Sequence, residues 1–144
     1  MEAIYAQLAA LARRYGAQKK VEQYCQALSK LEEAVQIYEK TSQDELYRDG
    51  LIQRFEFTVE LAWKSIKEFL EDQGMLISIT APRGVLKEGY AAGVIQDAEA
   101  WNAIITSRNI TSRVYDKETA ESVARQICYD FLPALQALAL FYRQ

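Results

Sequence analysis

The chain has 144 residues, half of them hydrophobic, with two prolines, six glycines, no histidine and a formal charge of -3. This length suits one domain with its own core, and the abundance of helix-favouring residues predicts an all-α fold. The acidic balance argues against a general polyanion binder.

Neither end of the chain nor its interior has the pattern of a membrane or secretory segment. No apolar run reaches the roughly 18 to 20 residues that a membrane span needs. The segment from Met1 to Gly16 has Glu2 early and Arg13 and Arg14 late, which inverts the charge order of a signal peptide. Together with two isolated cysteines, this predicts a soluble cytoplasmic protein that does not contact a membrane.

Two helices are predicted in the first forty residues. Four apolar side chains recur at helical spacing up to Gly16, where we expect a short helix to end: Ile4, Leu8, Leu11 and Tyr15. We interpret residues 1–18 as an accessory N-terminal helix and residues 19–144 as the helical bundle domain. The domain opens with a long amphipathic helix over about 19–40.

The third predicted helix is the longest. A capping box of Ser42 and Glu45 opens it, and it ends near Gly74. Some of its apolar residues lie off the main series, so the helix is either central in a bundle or part of a subunit interface. Phe57 and Trp63 are the first candidates for a dimer face.

Shorter helices complete the predicted fold. Pro82 suits the first turn of a helix that ends near Gly93, and Asp97 caps the helix after it. Asp116 begins a last helix, which Pro133 should kink or split. The sum is an up-and-down four-helix bundle with additional short helices.

The residue types available limit the chemistry. Without histidine there is no Ser-His or Cys-His nucleophile pair and no mixed Cys/His metal site. Glu56 and Glu60, one turn apart, are possible carboxylate ligands, but Lys64 one turn further favours a solvated row of paired charges. Glycine-rich phosphate-binding motifs are also missing, so we expect neither a metal nor a cofactor.

The polar segment Ser107–Asp116 is the candidate site, because polar side chains crowded between two apolar helices cost burial. Arg108 and Arg113 are spaced to converge on one phosphate, with Asn109, Thr111 and Ser112 as neutral donors.

An alternative is that these arginines only fasten helices together, and residue types alone favour it. The partners would be nearby carboxylates such as Glu56, Glu60 or Asp116. Tyr115 would then be an interfacial ring with a hydrogen-bonded hydroxyl.

Four ordered segments between Tyr24 and Leu138 resemble the nucleotidyltransferase substrate-binding proteins of the HEPN superfamily. They are Leu28–Ala34, Arg48–Lys64, Pro82–Arg83 with Gly89–Gly93, and Ser107–Asp116. The resemblance implies a helical bundle that forms a homodimer and pairs with a separately encoded minimal nucleotidyltransferase.

Many members of that family are interpreted as toxins that cut RNA without a metal, with the nucleotidyltransferase as antitoxin. They use an arginine, four to six intervening residues and a histidine. Arg108 matches the arginine, but Arg113 stands at the histidine position, and arginine does not exchange protons near neutrality. Tyr115 matches a tyrosine that accepts AMP from the partner in some members.

We therefore predict a non-catalytic substrate-binding subunit of a nucleotidyltransferase. It would bind a nucleotide or RNA through Arg108, Asn109, Ser112 and Arg113 and present Tyr115 as AMP acceptor. The alternative is a HEPN-type, metal-independent endoribonuclease toxin in which Arg108 is catalytic. A third possibility is a scaffold dimer whose arginines only fasten helices.

Overall fold

The prediction of an all-α helical bundle is confirmed by a computed structural model, which describes residues 1–41, 44–112 and 116–144. The described residues form six α-helices: α1 Glu2–Lys40, α2 Glu45–Asp72, α3 Pro82–Ala91, α4 Ala98–Thr111, α5 Lys117–Gln126 and α6 Leu132–Tyr142. A π-helical turn, Ile127–Phe131, joins α5 to α6. Within these ranges no helix combines the length and hydropathy that a membrane crossing requires.

The longest helices, α1 and α2, pack antiparallel and carry half of the buried hydrophobic residues. Thr58 of α2 hydrogen-bonds the carbonyl of Ala27 in α1, at 3.3 Å. The C-terminal helices close the other side, where the rings of Phe55 and Phe131 stack with centroids 5.6 Å apart. The fully buried side chains come from every long helix, and they include Tyr24, Leu31, Leu51, Ile66, Ile104, Ile127 and Leu135.

The prediction that a first helix ends near Gly16 is wrong, because α1 runs unbroken for 39 residues. A glycine inside a helix costs only about 1 kcal/mol relative to alanine. The left-handed conformation typical of a helix end occurs instead at Gly74 and Gly93. Helix-favouring residues on both sides of Gly16 let the helix continue through it. The division into residues 1–18 and 19–144 stays a prediction.

Three of the predicted helix starts are confirmed, and one has a different cap. Pro82 lies in the first turn of α3, and Asp97 and Asp116 cap α4 and α5 by accepting backbone N–H groups at 3.0 and 2.7 Å. The predicted capping box of Ser42 and Glu45 names the wrong capping residue for α2. Asp44 is the cap and accepts from the Leu46 N–H at 2.8 Å; Ser42 lies outside the described residues.

Pro133 splits the last helix, as predicted. Its ring has no N–H to donate and would clash with the carbonyl four residues earlier in a regular α-helix. The chain widens just before it, in the π-helical turn, where the Leu132 N–H donates to the Ile127 carbonyl five residues back. α5 packs against α2, and α6 packs against α1.

Candidate functional site

The polar segment that begins at Ser107 is helical over its first five residues, because α4 continues to Thr111. Helical spacing buries Ser107 and Thr111 and exposes Asn109. The Thr111 hydroxyl donates to the Arg108 carbonyl at 3.1 Å, and the Ser112 hydroxyl donates to the Asn109 carbonyl at 2.9 Å. These bonds satisfy carbonyls that a helix end leaves unpaired.

Two of the predicted site residues, Arg113 and Tyr115, lie outside the described residues. Their roles as phosphate ligand and AMP acceptor therefore stay predictions. The described chain resumes at Asp116, directly before α5.

Arg108 reaches from α4 to α2, where its Nη2 atom lies 3.3 Å from Oε2 of Glu60. Both side chains are about one-third exposed, at 34% each. The Nε atom of Arg108 is buried and has no hydrogen-bond partner among the described residues. Since a guanidinium has five N–H donors, the contact with Glu60 uses only part of the donor capacity of Arg108.

An open cleft of about 510 Å³ lies beside this ion pair. We call it the Arg108 cleft. Residues from α1, α2 and α4 line it: Ala27, Lys30, Gln53, Arg54, Glu56, Phe57, Glu60 and Arg108. Its volume falls in the range of small-molecule binding sites.

The charged side chains of the Arg108 cleft are three cations and two carboxylates. Arg54 donates through Nη1 to the backbone carbonyl of Lys30 at 2.8 Å, which fixes its guanidinium at the junction of α1 and α2. The cleft is therefore locally positive, although the chain as a whole carries a charge of -3. A local excess of cations favours an anionic ligand.

Phe57 adds an aromatic surface to the same cleft. Its side chain is 63% exposed, which is unusual for phenylalanine and leaves its ring available to a ligand or a partner protein. An exposed aromatic ring next to cations is the combination on which nucleobases stack while their phosphates are neutralised.

Glu60 is held by three neighbours. Trp63 donates its indole N–H to Oε2 at 3.1 Å, and Lys64 lies 3.2 Å from Oε1, in addition to the contact with Arg108. Burial would raise the pKa of Glu60, but the hydrogen bonds from Trp63 and Lys64 and the nearby positive charges outweigh burial and lower that pKa. The predicted pairing of Lys64 with Glu60 is confirmed here, and so is the pairing of Arg108 with a carboxylate.

Glu56, one turn earlier on α2, has the opposite electrostatics. Burial raises its pKa above the ordinary value, and the nearby Thr111 hydroxyl and the charge of Arg108 only partly compensate. Protonation of Glu56 would remove a negative charge from the cleft without disturbing the Arg108–Glu60 pair. Among the residues described, no group of three or more cysteine, aspartate or glutamate side chains is arranged to bind a metal.

The structure thus brings Arg108 together with Glu56 and Glu60, while Asn109 and Ser112 lie exposed at the end of α4 and do not line the cleft. The sequence did not single out Lys30, Gln53 or Arg54 as site residues. Their only signal was their position inside the segments Leu28–Ala34 and Arg48–Lys64, which carry the family resemblance.

Comparison with known proteins identifies the family to which this chain belongs. The profile of the family described as nucleotidyltransferase substrate binding protein like matches residues 19–144. Because the match covers most of the chain, the chain belongs to this family.

Individual relatives agree with the family assignment. The HI0074 protein of Haemophilus influenzae, whose structure is described as the fold of a substrate binding domain of a nucleotidyltransferase, is 31% identical, with a TM-score of 0.76. The alignment covers 86% of this chain and 99% of that one. A crystal structure of a Thermus thermophilus protein is 25% identical, with a TM-score of 0.72, covering 84% of this chain and 99% of that one.

One curated relative has a name that states an activity. The probable ribonuclease HepT of Haemophilus influenzae is 40% identical over 86 residues. These residues amount to 58% of this chain and 58% of the relative's length.

Proposed function

We propose that this chain is the substrate-binding subunit of a separately encoded minimal nucleotidyltransferase and binds a nucleotide in the Arg108 cleft. The observation that carries the proposal is the partly exposed guanidinium of Arg108, which contacts Glu60 at the edge of an open cleft. The family description and the likeness to a nucleotidyltransferase substrate-binding fold support the choice of partner.

The cleft supplies a partner for each part of a nucleotide. Arginine binds phosphate through paired N–H donors, so Arg108 and Arg54 suit the phosphates, with Lys30 as an additional point charge. The exposed ring of Phe57 suits the base, because stacking on an aromatic side chain tolerates any base. Glu60 orients Arg108 and does not contact the nucleotide itself.

The remaining predicted residues extend this site beyond the end of α4. In our proposal, Asn109 and Ser112 offer neutral polar groups next to the cleft, and Arg113 adds a third guanidinium for the phosphates. Tyr115 is the proposed AMP acceptor: its oxygen bonds to the α-phosphorus of ATP, the bond to pyrophosphate breaks, and the phenolic proton leaves to a base or to water.

We also propose that the chain acts as a homodimer. The exposed Phe57 and the half-buried Trp63 remain the first candidates for the dimer face. A dimer across this face would place two Arg108 clefts close to one another about a two-fold axis.

The function is tested by incubating the chain with the minimal nucleotidyltransferase and ATP and measuring its intact mass. We expect co-elution of the two proteins and an increase by one or more AMP units, lost in Tyr115→Phe and strongly reduced in Arg108→Ala. Co-elution without an adduct would leave a binding subunit without the acceptor role. The absence of both a complex and an adduct would refute the proposed function.

The curated relative's name favours one second candidate, a metal-independent endoribonuclease toxin. Arg108 would then bind the scissile phosphate and stabilise the negative charge that develops on it. Since Arg113 cannot exchange protons near neutrality, cleavage would lack the usual acid-base partner. RNA cleavage by the purified chain, abolished by Arg108→Ala, would establish this activity; stable RNA would exclude it.

The scaffold alternative makes a different prediction. If Arg108 only fastens α4 to α2, then Arg108→Ala lowers the stability of the chain and no nucleotide or RNA binds to it. Calorimetric titration of the intact chain with ATP separates this alternative from the other two.

A further inference from the structure

Residues 1–15 project beyond the bundle, and we call them the N-terminal arm. Gly16 lies beside Glu68, close to the end of α2, so the preceding residues extend past the helix against which α1 packs. Every residue from Met1 to Tyr15 is exposed. The family match begins only at residue 19, so the arm is an addition to the family's domain.

One face of the arm is apolar. Its side chains lie alternately three and four residues apart and are all more than half exposed: Met1, Ile4, Leu8, Leu11 and Tyr15. This alternation is the a and d spacing of a coiled coil, which is narrower than the face that a helix presents to a globular core. Such a face of several large side chains exceeds what a soluble monomer normally leaves uncovered.

We propose that the arm pairs with the arm of a second copy of this chain in an antiparallel two-helix coiled coil. A seam of a and d residues accepts a helix with the same spacing, and a second copy supplies that helix. The contact is self-complementary, as a two-fold axis requires. Because the arm extends clear of the bundle, the partner helix can lie along its whole length.

The charges of the arm decide the orientation. Glu2 lies at its beginning, and Arg13 and Arg14 lie near its end, followed by Lys19 and Lys20. A parallel pair would bring four arginines together at one end, where like charges repel. An antiparallel pair separates them and moves the arginines of each copy toward the acidic end of the other. It also places the two helix dipoles side by side and in opposite directions.

One register pairs four of the five apolar side chains and leaves Met1 outside the paired layers. When Leu8 of one copy lies opposite Leu11 of the other, Ile4 lies opposite Tyr15. The pair then contains four consecutive apolar layers. Several alanines flank the seam, including Ala12, and allow the two helices to approach closely.

Sedimentation or light scattering of the full chain tests the proposal. Leu8→Gln with Leu11→Gln removes the two central layers and keeps good helix formers. We expect the particle mass of this variant to fall to half that of the unchanged protein. The matched control, Ala6→Gln with Ala10→Gln, changes the opposite face of the arm and should leave the mass unchanged.

The particle masses of these two variants decide whether the arm pairs with a second copy. If the face of Phe57 and Trp63 also forms a dimer, the arms join two dimers, and the variant still halves the mass. The proposal is wrong if the Leu8 and Leu11 variant keeps the original mass. It is also wrong if the unchanged chain is a monomer at about 100 μM, because coiled coils with micromolar dissociation constants are mostly formed at that concentration.

Small-angle X-ray scattering tests the orientation. Two copies of α1 that overlap antiparallel along their arms span about 90 Å, at 1.5 Å per residue. Parallel arms hold the two bundles side by side along a length of only about 60 Å. A maximum dimension of about 90 Å or more supports the antiparallel pair, and a compact particle of the same mass contradicts it.

Discussion

The two faces of α2 have opposite roles. Phe55 and Phe57 are two residues apart, yet Phe55 is fully buried against Phe131, whereas Phe57 is 63% exposed at the Arg108 cleft. Two residues that are two positions apart in an α-helix lie on nearly opposite sides of its axis. The buried face stabilises the bundle, and the exposed face carries the charges and the ring proposed to bind a ligand. Substitutions on the two faces should therefore separate stability from binding.

The largest expected difference is between Phe55→Ala and Phe57→Ala. Truncating Phe55 leaves a cavity in the core and should lower the free energy of unfolding by about 3–5 kcal/mol. Truncating Phe57 should change it by less than about 0.5 kcal/mol while weakening nucleotide binding. Urea denaturation of both variants measures the effect, and equal losses of stability would contradict the assignment of the two faces.

A smaller loss is expected from Ser65→Ala, also on the buried face. The Ser65 hydroxyl donates to the Ala62 carbonyl and lies 2.7 Å from the Tyr142 hydroxyl, which must then donate to it. Removing Ser65 leaves the largely buried Tyr142 hydroxyl without its partner, which should cost about 1–3 kcal/mol. In the double variant with Tyr142→Phe, the loss should be smaller than the sum of the two single losses.

On the cleft face, Glu56→Gln should strengthen the binding of an anionic ligand about two- to fivefold at neutral pH, because it removes a nearby negative charge. Glu56 itself has a raised pKa, so binding to the unchanged chain should tighten as the pH falls through that pKa. A dinucleotide is the suitable ligand, since its phosphodiester keeps one charge throughout. Fluorescence titrations between about pH 5 and 8 should show a flatter profile for the variant.

The carboxyl groups of Glu56 and Glu60 should have opposite effects on how stability depends on pH. The raised folded-state pKa of Glu56 favours folding below its ordinary pKa, and that contribution is lost as the pH rises through the raised value. The lowered pKa of Glu60 favours folding above its ordinary pKa, and that contribution is lost as the pH falls through the lowered value. Thermal unfolding of Glu56→Gln and Glu60→Gln against pH should show slopes that change in opposite directions.

The smallest expected effect is a gain at the far end of α2. An alanine at Gly16 would place its Cβ at an ordinary contact distance, 3.8 Å, from Oε1 of Glu68. Because α1 is continuous at this point, Gly16→Ala should stabilise the chain by about 0.5–1 kcal/mol. A destabilisation in thermal unfolding would indicate that the helix breaks at Gly16.

The sequence was sufficient for most of the helices because their start and stop signals are local. Asp97 and Asp116 as caps, Pro82 in a first turn and Pro133 as a break each act through neighbouring backbone groups. Gly16 misled the prediction because a glycine permits a helix end but does not require one. Whether the helix continues depends on the cost of one residue against the gain from the turns on either side.

The candidate site was less predictable because its contacts join distant parts of the chain. Arg108 was found from the polar segment, and its pairing with Glu60 was one of several alternatives among nearby carboxylates. Lys30 and Arg54 could not be found in this way, since nothing but their position inside segments of family resemblance marked them. The antiparallel packing of α1 on α2 brings them to the cleft.

The central claim, that the Arg108 cleft binds a nucleotide, is tested most directly by calorimetric titration of the full chain with ATP. Arg108→Ala should weaken binding at least about tenfold, as expected for the loss of a charge-assisted hydrogen bond. The control Arg83→Ala removes an exposed guanidinium bonded to Asn102 and Thr106, away from the cleft, and should retain the original affinity. No measurable binding by the unchanged chain, or equal losses in the two variants, would contradict the claim.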